Sequence, residues 1–569
     1  MSYQSKRILT SIVLFAISIA TFALGEGRRD TLSVCASAWA SVASNHQLRP
    51  LFSYSNEWGR YTLYDKGEAA ACAQVAYRHA FKNPNINFSA GFTGQVSTDG
   101  DRTMLHELYA DFDLWMFGVK MGMENYTPIQ SNTSLAMGSY LMSNNARTIP
   151  KTWFGILDYW SLPIGKLPWN WAKMFSDLIQ IRGGASFGWM DNEGNKSYTD
   201  NALLHEKFVY GRIGQFCVKP YAGLYHSVII GGTLSDGTKI PVDFWHSFFG
   251  KNGDPAIFGN GRFRGEVTNA AGGHQGLWDF GLDITTPFAD GKVYYQQPFV
   301  DSKAKKPFNR DYDGNDFMVG ILLNIKNFAP IKEVALEFMS TKWQGGESTP
   351  DPMIPNKDGG YSVFFPGDYS DVKHLKNDIL RPEDVAAWEA EHGEIKDAAD
   401  MFYFFRDFYN NGEAFGGRSL YLINYCLEQG WTRGNLTMGN AFMQTSETVR
   451  HYAPEGTMDY NTAIANVRIR AVNIGLRGDI LPGRLSYALR VAQTRNYGNY
   501  CEQYGGSFSF VETKNYFFAT PKNETYTKLD LNVALRRGWT VNTTWAYDNG
   551  DMYRSFAVRL GVKYQLGVL

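Results

Sequence analysis

From Phe556 the chain reads Phe-Ala-Val-Arg-Leu-Gly-Val-Lys-Tyr-Gln-Leu, ending at Leu566. Phe556, Val558, Leu560, Val562, Tyr564 and Leu566 are apolar; Ala557, Arg559, Gly561, Lys563 and Gln565 alternate with them. A period of two held this long describes a strand with one oily and one polar face. So near the C-terminus, and behind an N-terminal export signal, it predicts the closing strand of an outer-membrane β-barrel. The oily face would meet lipid and the polar face the lumen.

The export signal is read in residues 1–25. Lys6 and Arg7 give a cationic start, Ile8 to Leu24 is apolar, and Ala23 and Gly25 are small residues that place cleavage after Gly25. Glu26 follows, where a lipoprotein would need Cys, so no lipid anchor is expected. The domain prediction is one barrel over residues 26–569, interrupted by loop excursions at about 147–175, 236–275 and 340–440.

Composition agrees. No later segment approaches the roughly 18 continuous apolar residues of a membrane-spanning helix; the best run is Phe317 to Leu323. Aromatics make up 15% of the chain and Gly occurs 57 times in 569 residues, as strands, tight turns and interfacial girdles of a barrel require. A formal charge of −1 gives no basic excess for nucleic acid. Of the five cysteines, Cys35, Cys72, Cys217, Cys426 and Cys501, none forms a Cys-x-x-Cys motif. They read as small apolar residues, with one disulfide as the alternative.

Alternation recurs along the chain. Leu108, Ala110, Phe112 and Leu114 oppose Glu107, Tyr109, Asp111 and Asp113; Trp278, Phe280, Leu282 and Ile284 oppose Asp279, Gly281 and Asp283. Phe317 to Leu323, Val334 to Phe338 with Glu337 opposed, Leu485 to Val491, Leu529 to Leu535 and Val541 to Tyr547 follow the same rule. A soluble sandwich has shorter strands, and its faces would not carry these paired charges. One segment is out of phase: Val467, Ile469 and Ala471 alternate, then Val472, Ile474 and Leu476 shift by one. A bulge near Ala471 would repair it. In the excursions, a short helix is expected from Trp169 to Leu178, and Pro382-Glu383-Asp384 opens another that Gly393 interrupts.

The loops carry a further pattern. Leu141-Met142-Ser143-Asn144-Asn145-Ala146-Arg147-Thr148-Ile149-Pro150, Leu203-Leu204-His205-Glu206-Lys207-Phe208 and Gly223-Leu224-Tyr225-His226-Ser227-Val228 are followed by Tyr294-Tyr295-Gln296-Gln297-Pro298-Phe299-Val300-Asp301. Phe408-Tyr409-Asn410-Asn411-Gly412, Gly430-Trp431-Thr432 and Asn496-Tyr497-Gly498 complete the set. In this order they resemble the capsule-assembly Wzi family of outer-membrane proteins, in its Bacteroidetes form. The chain departs from that pattern at Gly273-His274-Gln275, where the family tends to have Gly-Asn-Gln, and at Phe299-Val300-Asp301, where it tends to have acidic residues. The resemblance implies an all-β, 18-stranded antiparallel barrel that acts as a lectin, holding exported capsular polysaccharide at the cell surface without catalysis. The expected partners are capsular or surface polysaccharide, outer-membrane lipid and the barrel-assembly machinery, with no cofactor.

Other chemistry is thin. Gly184-Ala185-Ser186-Phe187-Gly188 matches the nucleophile-elbow pattern but sits in a strand-like run, whereas that motif needs a strand-to-helix turn. His205-Glu206 lacks the second His of a zinc helix and reads as a lumen-facing polar pair. Asp311, Asp313, Asn315 and Asp316 lack an EF-hand's spacing and read as a solvated acidic turn. Neither catalysis nor a metal is expected. Sugar binding needs aromatic faces for pyranose rings and amides, carboxylates and Arg for hydroxyl and acidic groups. Candidates are Asn144, Asn145 and Arg147 beside Trp153, then Trp245 and His246, Trp431 and Arg433, with Asp301 at the divergent block. For each Trp, loop packing or the interfacial girdle is the competing role. A diffusion channel for oligosaccharides or small solutes is the rival function, since a channel also needs a polar lumen. The wall charges Asp111, Asp113, Asp279, Asp283 and Glu337 form an acidic arc and Arg468, Arg470, Arg490, Arg559 and Lys563 a basic one. Pairing of the arcs across the lumen is expected to help close it.

Overall fold

The computed structural model describes residues 30–566 apart from 46, 167, 260–261, 268–269, 301–306, 309–315, 343, 345–352, 356–360, 364–378, 381, 395–420, 425, 459–461, 500–501 and 503–514. Its body is an 18-stranded antiparallel barrel. The first nine strands are β1 (Thr31–Ala43), β2 (Gly67–Ala80), β3 (Ile86–Ser97), β4 (Met104–Leu114), β5 (Phe117–Met123), β6 (Lys151–Ser161), β7 (Ile179–Met190), β8 (Ala202–Ile213) and β9 (Val218–Ile230). The other nine are β10 (Gly273–Thr285), β11 (Ala289–Val300), β12 (Phe317–Ile325), β13 (Glu333–Ser340), β14 (Ile469–Leu481), β15 (Leu485–Asn496), β16 (Lys522–Ala534), β17 (Trp539–Gly550) and β18 (Arg554–Leu566). Each pairs with its chain neighbour, and β18 returns to β1, Val34 opposite Leu566 and Ala43 opposite Ala557. Closure leaves no strand edge unpaired, which lipid demands. Short helices lie in the loops: α1 (Leu51–Tyr54), α2 (Phe244–Phe249), α3 (Pro255–Phe258), α4 (Pro382–His392) and α5 (Ser446–Arg450).

Connections at one end include 115–116, 214–217, 286–288 and 482–484, and β1 begins and β18 ends there; the other end carries 44–66, 124–150, 231–272 and 341–468. Short turns mark the periplasmic side and long loops the extracellular side. One periplasmic turn is long: residues 162–178 hold a 3-10 helix, Asn170–Phe175, where a short helix is expected. Residues 151–161, expected within an aromatic loop, form β6, and residues 273–275 begin β10. α4 begins at Pro382 as expected, and Gly393 follows its end with φ +95.

The alternation holds. Leu108, Phe112, Leu282, Ile321, Leu336, Trp545, Leu560 and Val562 are exposed on the wall, while Asp111, Asp279, Glu337 and Arg559 are buried inside. An exposed oily exterior around a closed barrel makes this an outer-membrane protein. Where aromatic rings cross neighbouring strands, glycine makes room: a Cβ on Gly223 would lie 2.0 Å from the Tyr210 ring, and one on Gly320 2.4 Å from Tyr294. No larger residue fits beneath these rings.

The lumen is filled. Loops 44–66, 124–150 and 421–468 fold inward and join wall residues in one apolar core, with Phe52, Met137, Leu141, Phe442 and Trp431 from the loops and Leu204, Tyr225, Leu277, Met339 and Tyr526 from the wall. This explains why Phe317 to Leu323 is apolar on both faces: Met318 and Leu322 are buried toward the plug, while Ile321 is exposed. Burying irregular backbone requires partners for its amides and carbonyls, and the wall supplies them. Asp548 accepts from the Leu51 amide at 2.6 Å, and Arg559 donates to the Ser53 carbonyl at 3.0 Å. Arg182 donates to Pro128 O at 2.7 Å, Glu337 accepts from Met137 N at 2.6 Å, and Asn473 donates to Leu135 O at 2.9 Å.

The wall charges therefore differ from the expected opposed arcs. Asp111 pairs with Lys120 at 2.8 Å on the adjacent strand, and Asp283 with Arg212 at 2.8 Å and with Lys292. Asp279 accepts from Tyr210 and Tyr221, and Glu337 from Tyr294 and Asn473. Arg490 donates to Asn473 and lies over the Phe52 ring. These groups meet neighbours and the plug, since loops occupy the space between the arcs. Asp113 lies half-buried on the inner face, and Lys563 is exposed near the periplasmic end of β18. Arg468 is buried at the extracellular mouth, donating to Lys342 O at 3.0 Å.

Arg470 is the exception. β14 runs in unbroken register from Ile469 to Gly478, with its irregularity at Asp479/Leu481 instead of near Ala471. Ile469, Ala471 and Asn473 are then inward and buried, and Arg470 shares the outer face with Val472 and Ile474. Ile469 and Ala471 are apolar because they face the plug, so reading apolar as outward inverts the strand's first turn.

Candidate ligand-binding site

Five extracellular loops meet in a polar crevice above the plug, with a volume of about 530 Å³. Loop 44–66 supplies Tyr64 and Asp65, loop 98–103 Asp99, Asp101 and Arg102, and loop 124–150 Arg147; loop 191–201 supplies Asp191, Glu193 and Tyr198, and loop 341–468 Arg433, Asn435 and Glu447.

Arg433 is placed by a tight hairpin. Thr432–Arg433 pairs with Leu436–Thr437, and the two turn residues, Gly434 and Asn435, have φ +58 and φ 60. A turn with positive φ at both centres favours Asn and Gly. Glu193 secures the tip, accepting from the Gly434 amide at 2.8 Å and lying 3.4 Å from Arg433 Nε. Arg102 donates to the carbonyls of Gly59 and Gly434 at 3.1 and 3.3 Å, joining three loops. Arg147 donates to Leu105 O at 2.7 Å. Burial holds the Arg147 guanidinium below its ordinary pKa, and nearby Arg433 adds to the effect. On the opposite side, Tyr64 stacks on His451 with ring centroids 4.0 Å apart and hydrogen-bonds Thr448 at 3.1 Å. Burial raises the Tyr64 and Tyr198 phenols above their ordinary range, so both remain protonated donors.

Of the residues expected to touch sugar, Arg147 and Arg433 converge here. The others that the structure describes lie elsewhere. Asn144 and Asn145 are buried, donating to Asn56 O at 3.0 Å and Thr437 O at 2.9 Å; they tie plug loops together. Trp153 is 2% exposed, edge-on to Tyr126 and Phe208. Trp431 is buried, its Nε1 donating to Leu141 O at 2.6 Å. Trp245 and His246 belong to α2, outside the barrel wall. Asp301, with Asp311, Asp313 and Asn315, lies outside the described residues. Arg102, Glu193, Tyr64, Tyr198 and Asn435 carry no local motif, since each loop contributes one or two of them.

The serine of Gly184-Ala185-Ser186-Phe187-Gly188 lies inside β7 and donates to Glu206 at 3.0 Å; no strand-to-helix turn presents it as a nucleophile. Of the His205-Glu206 pair only Glu206 faces the lumen, held by Lys151 at 2.6 Å. Among the described residues Cys35, Cys72, Cys217 and Cys426 are free thiols, and no group of His, Cys, Asp and Glu is arranged to hold a metal.

Fold and site together define a plugged outer-membrane β-barrel with an extracellular crevice. No protein-family model and no curated protein matches the chain in sequence. Among solved structures it is similar to Wzi of Escherichia coli, described as a carbohydrate-binding barrel involved in group 1 capsule assembly, at 10% identity and TM-score 0.47, over 99% of this chain and 89% of that one. It is also similar to OccK3 (OpdO) of Pseudomonas aeruginosa, at 10% identity and TM-score 0.40 over 95% and 96% of the two chains. A loop-deletion mutant of OmpT from Vibrio cholerae gives 7% identity and TM-score 0.33 over 94% and 99%. At these values the likenesses distinguish no family, and the barrel assignment rests on the chain's own strand pairing.

Proposed function

We propose that this barrel is a non-enzymatic, lectin-like anchor that holds exported capsular or surface polysaccharide at the cell surface. The observation that carries the proposal is the crevice itself: an open cleft of about 530 Å³ on the extracellular side, directly above a filled lumen. Its volume falls within the roughly 300–1,000 Å³ of small-ligand clefts. Guanidiniums, carboxylates, two amides and two phenols supply the donors and acceptors that sugar hydroxyls need. The Tyr64 and Tyr198 rings offer apolar faces in place of the expected tryptophans. Carboxylates outnumber guanidiniums, and Arg433 is already paired with Glu193. That balance favours hydroxyl-rich, uncharged or cationic repeats over a polyuronate. The sequence blocks that resemble the capsule-assembly family support the same reading.

The test pairs two assays on the purified protein. Cell-surface polysaccharide should bind, and Arg433→Ala should weaken binding about tenfold, the ~1.4 kcal/mol expected of a hydrogen bond to a charged group. In planar bilayers the protein should stay closed. A large steady conductance without glycan binding would overturn the proposal in favour of a diffusion channel.

A further inference from the structure

Loop 231–272 does something unusual for an extracellular loop: part of it lies against the outside of the barrel. In β7 and β8, Ser186, Glu206 and Phe208 are buried on the lumen side, so Phe187, His205 and Lys207 belong to the outer face. α2 packs on those three residues. Phe244 stacks on Phe187 with centroids 6.0 Å apart, and Phe248 stacks on His205 at 4.6 Å. Lys207 donates to the Phe248 carbonyl, and its ammonium lies 4.1 Å from the Phe248 ring centroid. Asp243 caps the helix, accepting from the His246 amide and its Nδ1. The underside is thus covered, and His205 is 0% exposed.

The other side of α2 is exposed. Trp245 is 65% and Phe249 58% exposed, with Val242 and Ile257 exposed nearby. On the wall itself Trp189 and Val209 are exposed and lead down to Ile213 in the oily belt. The aromatic patch is therefore continuous with the surface that meets lipid. A lone cation on the outer wall costs about 2–4 kcal/mol at midplane and nearly nothing at the interface. Lys207 stands at mid-strand in β8, and the Phe248 carbonyl and ring screen its charge, as an ammonium below the interface requires. Trp and Phe beside cationic groups are the residues that settle at the interface.

We propose that α2 is an interfacial foot: Trp245 and Phe249 enter the outer leaflet and are covered by its acyl chains, seating loop 231–272 on the membrane. The loop also reaches the crevice loop, since Glu428 accepts from the Ser235 amide at 2.7 Å and from its hydroxyl at 2.6 Å. The foot thereby braces the loop that carries Arg433.

Spin labels on Trp245→Cys and Phe249→Cys, made in a background with Cys35, Cys72, Cys217, Cys426 and Cys501 all replaced by alanine and reconstituted in lipid nanodiscs, test the proposal. Lipid-exposed labels collide several-fold more with oxygen than with a water-soluble nickel chelate. The expected values match a label on Val209→Cys, with Lys196→Cys as the water-exposed reference. Values like those of Lys196→Cys would overturn the proposal. Protection from both reagents would also overturn it, pointing to a second copy or another protein on this face. Heat-modifiable gel mobility verifies that each variant folds. Should a cysteine variant fail to fold, quenching by brominated lipids should still fall from wild type to Trp245→Phe, and no fall would count against the foot.

Discussion

His451 places a titratable ring behind Tyr64, a residue that lines the crevice. Its ring stacks on Tyr64, and burial holds the imidazole pKa below its ordinary value, while Glu447 pulls the other way. A histidine harder to protonate when folded leaves the unfolded chain binding more protons just below pH ~6.5. The contact is therefore fully present above that pH and weakens as pH falls through the window. Glycan binding should decline on acidification, and His451→Phe, which keeps the stack without the titration, should flatten the decline. An unchanged pH profile in the variant would assign it to another group. At this scale the sequence was a partial guide. Arg147 and Arg433, chosen as loop guanidiniums able to pair with acidic groups, both line the crevice. Trp153 and Trp431 could not be separated from core residues, because an aromatic ring fills a plug as well as it stacks on a sugar.

The elements show where alternation informs and where it misleads. β10, β17 and β18 met lipid on one face and polar groups on the other, so a period of two read them correctly. The rule fails where a face meets neither medium alone. Ile469 and Ala471 are apolar toward the plug, which misplaced Arg470; His205 is polar on the outer wall because α2 covers it. The Gly434-Asn435 hairpin shows how a small element can control the site. A Cβ on Gly434 would lie 3.3 Å from Arg102 Nη1, and its φ of +58 strains any branched residue. Such strain costs about 1–3 kcal/mol. Gly434→Val should shift the tip away from Glu193 and reduce glycan binding at least as much as Arg433→Ala. Heat-modifiable mobility should stay normal, because no barrel strand is touched. Full binding by the variant would show that the hairpin does not position the site.

At the scale of the molecule, alternation made the barrel legible and the resemblance alone implied its 18 strands, but the loop plug was not legible. Its loops read as polar and aromatic excursions, and their inward fold depends on partners hundreds of residues away: Met137 on Glu337, Leu51 on Asp548, Trp431 on Leu141. Wide barrels of this strand number leave an aqueous channel when nothing fills them. Here the wall's carboxylates, tyrosines and arginines are turned to satisfying loop backbone, with Arg182 on Pro128 and Asn473 on Leu135. Residues 127–146 touch the wall at β7, β11, β13 and β14 through Pro128, Ser131, Met137 and Leu135. Replacing that segment with a short Gly-Ser linker should remove these contacts while leaving every barrel strand intact. The freed wall groups would then hydrate instead of bonding protein. The variant should keep its heat-modifiable mobility, show steady conductance in planar bilayers where the parent is closed, and lose glycan binding because Arg147 and the support beneath Trp431 are displaced. A variant that stays closed would mean loops 44–66 and 421–468 seal the barrel without it; one that conducts yet still binds would separate the plug from the crevice.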